Sequence, residues 1–382
     1  MILYMSAGTS YEIYDDLFNK GIVGKGSYQV QKFNNNLIEG LSSQEKVVAL
    51  SSLPVVHKNH DEIIRKIDGV DFFCVKIKKG KLGKLLKVNS LIKKGKEIIR
   101  NEKPKAIVCD SITRAVSVAA LKLSKKYNIP AIAIVTDVPE KYCGGNAKSN
   151  SHVAKLMKKY DGYVLLTEKM NEIVNPNSKP YIVMEGCCNL DENLIKAEKK
   201  QREKNIILYS GSLWNDILGL EYFTEGFIKA NLHNTELHFY GVGDFKERLK
   251  EYSKQCPSVK YMGCVTNAEV VEKQKQASLL INPRITTEEY CEYSFPSKTF
   301  EYMASGTPLL MTRLPGIPSE YFDYAYVIEK EDSEYVAEKL NQIFSKSEEE
   351  RNLFGTKARE FIVKEKNAKK QSAIILEFIK SL

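Results

Sequence analysis

The residues best suited to chemistry lie between positions 278 and 320, SLLINPRITTEEYCEYSFPSKTFEYMASGTPLLMTRLPGIPSE. A strand ending in Asn282-Pro283-Arg284 runs through a polar, acidic loop to Ser294-Phe295-Pro296-Ser297-Lys298. Pro296 or Ser297 is placed to start a helix. Gly306 is placed to end it in the left-handed cap, and a strand over 308–312 follows. The free N–H groups and dipole of a helix N-terminus favour a phosphate. Lys298 and Arg284 would add positive charge, and Glu301, about one turn later, could accept two ribose hydroxyls. The same residues also read as a Ser N-cap followed by a solvated Lys and Glu.

The elements that must position these residues have a βα rhythm. Short apolar runs at 2–5, 47–50, 70–77, 106–110, 129–135 and 162–166 alternate with helical patterns, and YIVMEG follows at 181–186. A polar segment, 189–205, separates them from a second series at 206–211, 237–241, 259–263, 278–283, 308–312 and 324–328. This alternation predicts parallel sheets in two α/β halves. Doubly wound sheets bind ligands beyond the carboxyl ends of their strands, so two facing halves would form a central cleft. The expected domains are 1–190 and 191–365, with a helix over 366–382 that could pack back on the first. A chain of 382 residues with 27% charged and 43% hydrophobic residues excludes wholesale disorder, collagen and coiled coil.

The eight cysteines (74, 109, 143, 187, 188, 256, 264, 291) show no C-x-x-C spacing and read as free thiols, Cys109 and Cys264 beside apolar runs. No secretory signal and no span of roughly 20 apolar residues is visible, which suggests a cytoplasmic protein. The five histidines have no catalytic context, and His238 reads as core or edge of a strand. Trp214, the lone tryptophan, reads equally as a cleft-lining or a packed residue.

The 278–320 segment resembles the donor site of family-four-type retaining glycosyltransferases of GT-B fold, of the kind that builds bacterial surface polysaccharides. FEYMASGTP at 300–308 matches the end of that family's E-x7-E motif, and SFPSK at 294–298 its surface-polysaccharide variant. YSGSL at 209–213, FYGVGD at 239–244, YMGCV at 261–265, LPGIPSEY at 314–321 and VMEG at 183–186 are similar to further landmarks in the same order. The resemblance is strong over about 206–322 and looser over 1–190.

It implies two Rossmann-like domains and transfer of a sugar from a nucleotide-diphosphate donor, UDP-sugar by family frequency, with no other cofactor. The acceptor would be a glycan or lipid-linked saccharide. It assigns Lys298, Glu301 and Arg284 to the reacting end, with Gly211, Ser212, Gly241, Gly263, Cys264, Val265, Glu292, Ser294, Phe295, Pro296 and Ser297 around the donor. Gly24 and Gly26 match the Gly-rich loop near the phosphates and acceptor, and read otherwise as a flexible turn. Asp137 follows the strand where the family often places a His-Asp pair, and reads otherwise as a cap or solvated Asp; Asp110 is a weaker candidate. Retention implies front-face attack, with the leaving phosphate oxygen taking the acceptor's proton. No D-x-D motif stands in a suitable context, so a metal-free site is expected.

Two departures matter. Ser212 and Leu218 stand where the family often has Arg and Lys on the diphosphate, leaving more of that charge to Lys298 and Arg284. Tyr293 stands where the first Glu of E-x7-E belongs; Glu292 is one residue early, with Glu288 and Glu289 upstream. A non-catalytic GT-B partner subunit or nucleotide-sugar-binding protein is therefore the rival reading.

The formal charge of +9 is concentrated. Residues 76–105 hold twelve Lys or Arg against Glu97 and Glu102, a local excess of ten, so the rest of the chain sums to about −1. With its apolar stripe the segment reads as a basic amphipathic helix for peripheral contact with an anionic membrane, or as an ordinary domain helix. No aromatic lies within it, so nucleic acid is not an expected partner.

Overall fold

In the computed structural model the described residues are 1–24, 28–53, 57–78, 81–139, 147–188, 203–214 and 218–382. The chain divides into two compact units, one of Met1–Asn189 with Lys366–Leu382 and one of Leu190–Glu365. Gly26 and most of the polar segment at 189–205 lie outside the described residues.

The first unit is built on eight strands: β1 (Ile2–Ser6), β2 (Val47–Ser51), β3 (Ile63–Ile67), β4 (Val70–Cys74), β5 (Ala106–Asp110), β6 (Ala131–Val135), β7 (Gly162–Leu165) and β8 (Tyr181–Val183). Their order is β3-β4-β2-β1-β5-β6-β7-β8. All neighbours are parallel except β3 and β4. Strands β1, β2, β5 and β6 are buried along their whole length. Helices cover both faces of such a sheet, which is why these strands are unbroken apolar runs rather than alternating ones. From β1 the chain winds outward one way through β2, then resumes on the other side with β5. The switch point therefore lies between β1 and β5.

The second unit repeats the plan with six strands: β9 (Asn205–Ser212), β10 (Thr235–Val242), β11 (Val259–Gly263), β12 (Leu279–Asn282), β13 (Leu309–Thr312) and β14 (Tyr326–Ile328). Their order is β11-β10-β9-β12-β13-β14, all parallel, so this switch point lies between β9 and β12. Its core is strongly aromatic, with Tyr209, Phe223, Phe239 and Phe245 buried together.

Several expected elements shift. The run 70–77 stops at Cys74, where Val75 N–H already turns to the Ser51 carbonyl. The runs 181–186 and 324–328 yield only three strand residues each, and Tyr324 closes a 3-10 turn over Ser319–Tyr324. Strand β3 was not anticipated. It pairs with β4 through Asp68-Gly69, both with positive φ, the geometry of a tight hairpin turn. The Asp-Gly pair is the sequence signal for it.

The closing helix, Ala368–Ser381, packs on the helix Tyr28–Ser42 of the first unit. Where the chain leaves and re-enters this unit the two crossings are joined. Cys188 N–H donates to the Lys366 carbonyl at 3.1 Å, and Ala368 N–H to the Cys188 carbonyl at 3.0 Å. Beside them Lys366 Nζ is 3.1 Å from Glu185 Oε2, both side chains buried.

Candidate functional site

At the switch point of the second unit the strand-to-helix segment folds as the sequence suggests. The helix Ser297–Ala304 starts after Pro296, which occupies the N-cap in an extended conformation and makes no side-chain cap. The capping-serine reading of this turn is thus not what the chain adopts: Ser297 is the first residue of the helix and not its cap. The residue after the terminal turn, Gly306, has φ +73.

One turn into this helix, Tyr302 is buried and clamps the end of β9. Its hydroxyl accepts from Ser210 N–H at 2.9 Å and donates to the Ser210 carbonyl at 3.1 Å. Burial raises its pKa far above the ordinary value, so it stays a neutral donor. The clamp fixes the helix against β9, and Lys298 follows. Its side chain passes over Gly211, and its Nζ lies 5.6 Å from the Tyr302 ring centroid, a cation–π contact. A Cβ on Gly211 would collide with Lys298 Cε and stand 3.0 Å from Nζ. Gly211 has φ +153 and its neighbour Gly241 on β10 has φ +144; a Cβ on Gly241 would strike the Gly211 carbonyl oxygen. These two glycines bring backbone and ammonium into a space that any side chain would fill.

Arg284 follows β12. Its carbonyl accepts from Thr312 Oγ1 at 2.7 Å and its Nη1 reaches Tyr290 Oη at 3.4 Å. Its Nε is buried without a hydrogen-bond partner, as are Asn282 Nδ2 and Thr299 Oγ1. Burial pushes Tyr290 up to about 12, against the lowering effect of Arg284. A buried donor without a partner costs about 1–3 kcal/mol, so this corner, with two unpaired N–H donors, suits an acceptor-rich ligand such as a phosphate.

The other expected donor residues are distributed as follows. Glu292 lies half-buried in the 3-10 turn Glu289–Tyr293, and Tyr293, at the position of the first Glu of the motif, is buried. Phe295 is packed against Phe300 at 4.8 Å and Tyr321 at 5.2 Å, so only its backbone can face a ligand. Ser294 and Glu301 are half-buried, while Ser297 and Ser212 are exposed. Gly263, Cys264 and Val265 form the turn after β11. Cys264 is exposed there, which corrects its expected role as an apolar filler. His238 is buried in β10 with its Nε2 2.8 Å from Glu236 Oε2, a strand residue as anticipated. Tyr209, Tyr290 and Tyr302 were not singled out from sequence, although Tyr209 opens YSGSL and Tyr302 lies within FEYMASGTP.

At the switch point of the first unit the groups are different. Asp110 is buried at the end of β5 and accepts from Ala7 N–H at 3.4 Å, Ile112 N–H at 3.3 Å and Thr113 Oγ1 at 2.9 Å. Its pKa is nevertheless raised, because burial outweighs those bonds. Around it Gln31 bridges Thr9 N–H at 2.8 Å and the Ala7 carbonyl at 3.2 Å, and Tyr4 Oη donates to Asn34 at 2.9 Å. Asp137, after β6, has an exposed side chain, yet protein crowds its carboxyl. That desolvation pushes its pKa up to about 6, with Thr136 opposing and Asp110 adding to the rise. Gly24 is pressed against His57, whose Nε2 would lie 2.6 Å from a Cβ there, and its carbonyl accepts from Tyr14 Oη at 2.9 Å.

The basic segment lies mainly on the helix Lys81–Glu102. Its Leu91, Ile98 and Ile99 are buried, and the helix packs on Arg114–Tyr127. Three of the segment's cations meet acids outside it, Lys76 with Asp61, Lys105 with Glu45 and Lys94 with Glu62 at 3.2 Å, and Lys94 also meets Glu97 at 3.0 Å. Three acids outside the segment, Asp61, Glu45 and Glu62, thus offset part of its local excess of ten. Among the described residues no helix is long and apolar enough to cross a membrane. No three His, Cys, Asp or Glu are grouped to hold a metal ion there either.

Residues 204–346 match the family model described as glycosyl transferases group 1. No curated protein matches the chain. Solved structures that resemble it over 100% of its length include sucrose-phosphate synthase from Thermosynechococcus elongatus (12% identity, TM-score 0.68, 98% of that chain covered). Anabaena Alr3699/HepE in complex with UDP is similar at 13% identity and TM-score 0.63, with 100% of that chain covered. The lipopolysaccharide outer core galactosyltransferase WaaB is similar at 14% identity and TM-score 0.63, with 99% covered. The fold of this chain is therefore GT-B, two Rossmann-like units, and the match to the glycosyl transferases group 1 model falls within the second.

Proposed function

We propose that this protein is a retaining glycosyltransferase that moves a sugar from a nucleotide-diphosphate donor, UDP-sugar first among candidates, to a glycan or lipid-linked saccharide in surface-polysaccharide or glycoconjugate synthesis. The observation that carries this reading is Lys298 laid over Gly211 at an uncapped helix N-terminus, inside the segment matched by the glycosyltransferase model. HepE, a structural neighbour, binds UDP, which supports the choice of nucleotide.

In this reading Lys298, Arg284 and the helix N-terminus hold the diphosphate, and Glu301 takes the ribose hydroxyls. The bond from the anomeric carbon to the phosphate oxygen breaks as the acceptor oxygen attacks from the same face. The acceptor's proton passes to the departing phosphate. The protein's part is to position both partners and to stabilise the negative charge that grows on the diphosphate. Lys298 and Arg284 can supply that stabilisation, so metal-independent transfer is part of the proposal. The acceptor's reacting hydroxyl falls to the first unit, where Asp137 and, more weakly, Asp110 can accept hydrogen bonds. Contact with an anionic membrane would rest mainly on charge, through exposed Lys93, Arg100 and Lys103, since Leu91, Ile98 and Ile99 of that helix are buried while Leu86 is exposed.

A second reading, a nucleotide-sugar-binding partner without turnover, is favoured by one observation: Tyr293 occupies the place of the first Glu. A thermal-shift screen of nucleoside diphosphates, followed by donor-consumption assays with and without chelator, tests both. A stabilising nucleotide with donor turnover supports the transferase. Binding without turnover favours the second reading, and no response to any nucleotide defeats both.

A further inference from the structure

Trp214 follows β9 by two residues, and packing is not its role: its side chain is 55% exposed. Four of the large apolar side chains exposed among the described residues, Trp214, Val242, Met262 and Val265, stand at or next to the carboxyl ends of the adjacent strands β9, β10 and β11. Exposed apolar groups gathered on one rim are a mark of binding. The last three adjoin the turn already read as part of the donor site. Trp214 is left unexplained by that site.

Its mounting is rigid. Leu213 is fully buried, donates its N–H to the Val242 carbonyl at 2.9 Å and accepts from Phe245 N–H at 3.0 Å. The backbone of Leu213 also abuts Gly243, where a Cβ would strike its carbonyl. The root of the indole is thus fixed between two strand ends while its face stays in solvent. Ser212, two residues earlier, and Asp244, between the Gly243 and Phe245 that meet the Leu213 backbone, are both exposed, and the Asp244 carboxylate makes no cap bond to the helix Phe245–Gln255 that it precedes.

A flat aromatic face beside a hydroxyl and a carboxylate is the chemistry that recognises a neutral sugar. The C–H face of a pyranose covers the indole and its hydroxyls donate to the acid. The carboxylate disfavours a phosphate at the same spot. Gly211, under the Lys298 side chain, is three residues away in sequence, so a ring held here lies near the departing diphosphate.

We propose that Trp214, with Asp244 and Ser212 at its rim, is a stacking subsite for a neutral sugar ring of the acceptor. This rests on the transferase reading above.

Trp214 is the only tryptophan, so the emission of the full chain reports on it alone. The chain is titrated with methyl glucoside, methyl galactoside, methyl N-acetylglucosaminide and, separately, UDP. The expected result is a saturable emission change with at least one glycoside, while UDP raises the melting temperature without that change. For the responding glycoside used as acceptor, Trp214→Ala should raise the acceptor KM by roughly tenfold, a loss of one stacking contact. Trp214→Phe should recover part of it, and both variants should keep the UDP thermal shift. Emission blind to all three glycosides overturns the subsite. So does emission moved by UDP alone, which would make Trp214 a base-stacking residue, or an unchanged acceptor KM in Trp214→Ala. Failure of every nucleoside diphosphate, UDP included, to stabilise the wild-type chain would instead defeat the transferase reading while leaving the glycoside titration to stand by itself.

Discussion

The two switch points are built by opposite means. In the second unit the strand ends are stripped to backbone: Gly211 and Gly241 lie against each other, and Lys298 is laid over Gly211 on the helix that the Tyr302 clamp holds. In the first unit the strand ends are filled with side chains, where Asp110 and Gln31 tie the loop after β1 to its neighbours and Asn34 holds the Tyr4 hydroxyl of β1. The first arrangement offers N–H groups and positive charge, and so suits a diphosphate. The second offers carboxylates and amides, and so suits hydroxyl groups. The same doubly wound frame thus serves two chemistries, and the difference lies in whether the carboxyl end of the sheet is emptied or furnished.

The contrast is most exposed at Lys298. Lys298→Ala should cut donor turnover by about 100- to 1,000-fold, the cost of removing one preorganised charge stabiliser, with the circular dichroism spectrum unchanged. Near wild-type turnover would mean that the emptied end does not hold the diphosphate. Gly241→Ala attacks the backbone packing itself. A Cβ against the Gly211 carbonyl at positive φ should cost about 3 kcal/mol in urea unfolding, and an unchanged midpoint would break the comparison. Asp110→Ala removes the acceptor of two N–H groups and the Thr113 hydroxyl, and should cost about 2 kcal/mol; a neutral effect would show that the furnished end is not held by that carboxylate.

The smallest effect concerns Asp137, whose carboxyl is raised from 3.8 to about 6. If its charged form binds the acceptor, kcat/KM rises through about pH 6 and then levels, and Asp137→Asn loses that limb. For stability the sign is opposite. A raised acid keeps its proton in the native state where the unfolded chain has lost it, so its contribution is present below the unfolded value and lost as pH climbs to about 6. Asp137→Asn should therefore melt higher than wild type at pH 7.5, with the gap closing below pH 4. A gap that persists at low pH would mean that the carboxylate's burial is not its cause.

Much of this was legible in the sequence. The alternation of apolar runs and helical patterns gave both sheets, because strands of a parallel sheet buried on two faces cannot hide their composition. The run from Arg284 to Gly306 announced its strand–loop–helix unit through Pro296 and the terminal glycine. What stayed hidden depends on contacts made at long range. That Lys76, Lys94 and Lys105 find Asp61, Glu62 and Glu45 cannot be seen by counting charge along a segment. Nor could Tyr302 be told from any other tyrosine before β9 was brought against it. Strand β3 was missed for a plainer reason: its residues alternate between half-buried and exposed at a sheet edge, so only Asp68-Gly69 spoke for it.

The joined crossings at Cys188 and Lys366 bear on how the molecule comes into being. The first unit is finished by the helix Ala368–Ser381, yet a ribosome makes that helix after all of the second unit. Domain two can close while domain one still waits with the flank of its helix Tyr28–Ser42 bare. The earliest-made domain is then the last to mature, and its uncovered surface is what the nascent chain must keep from aggregating.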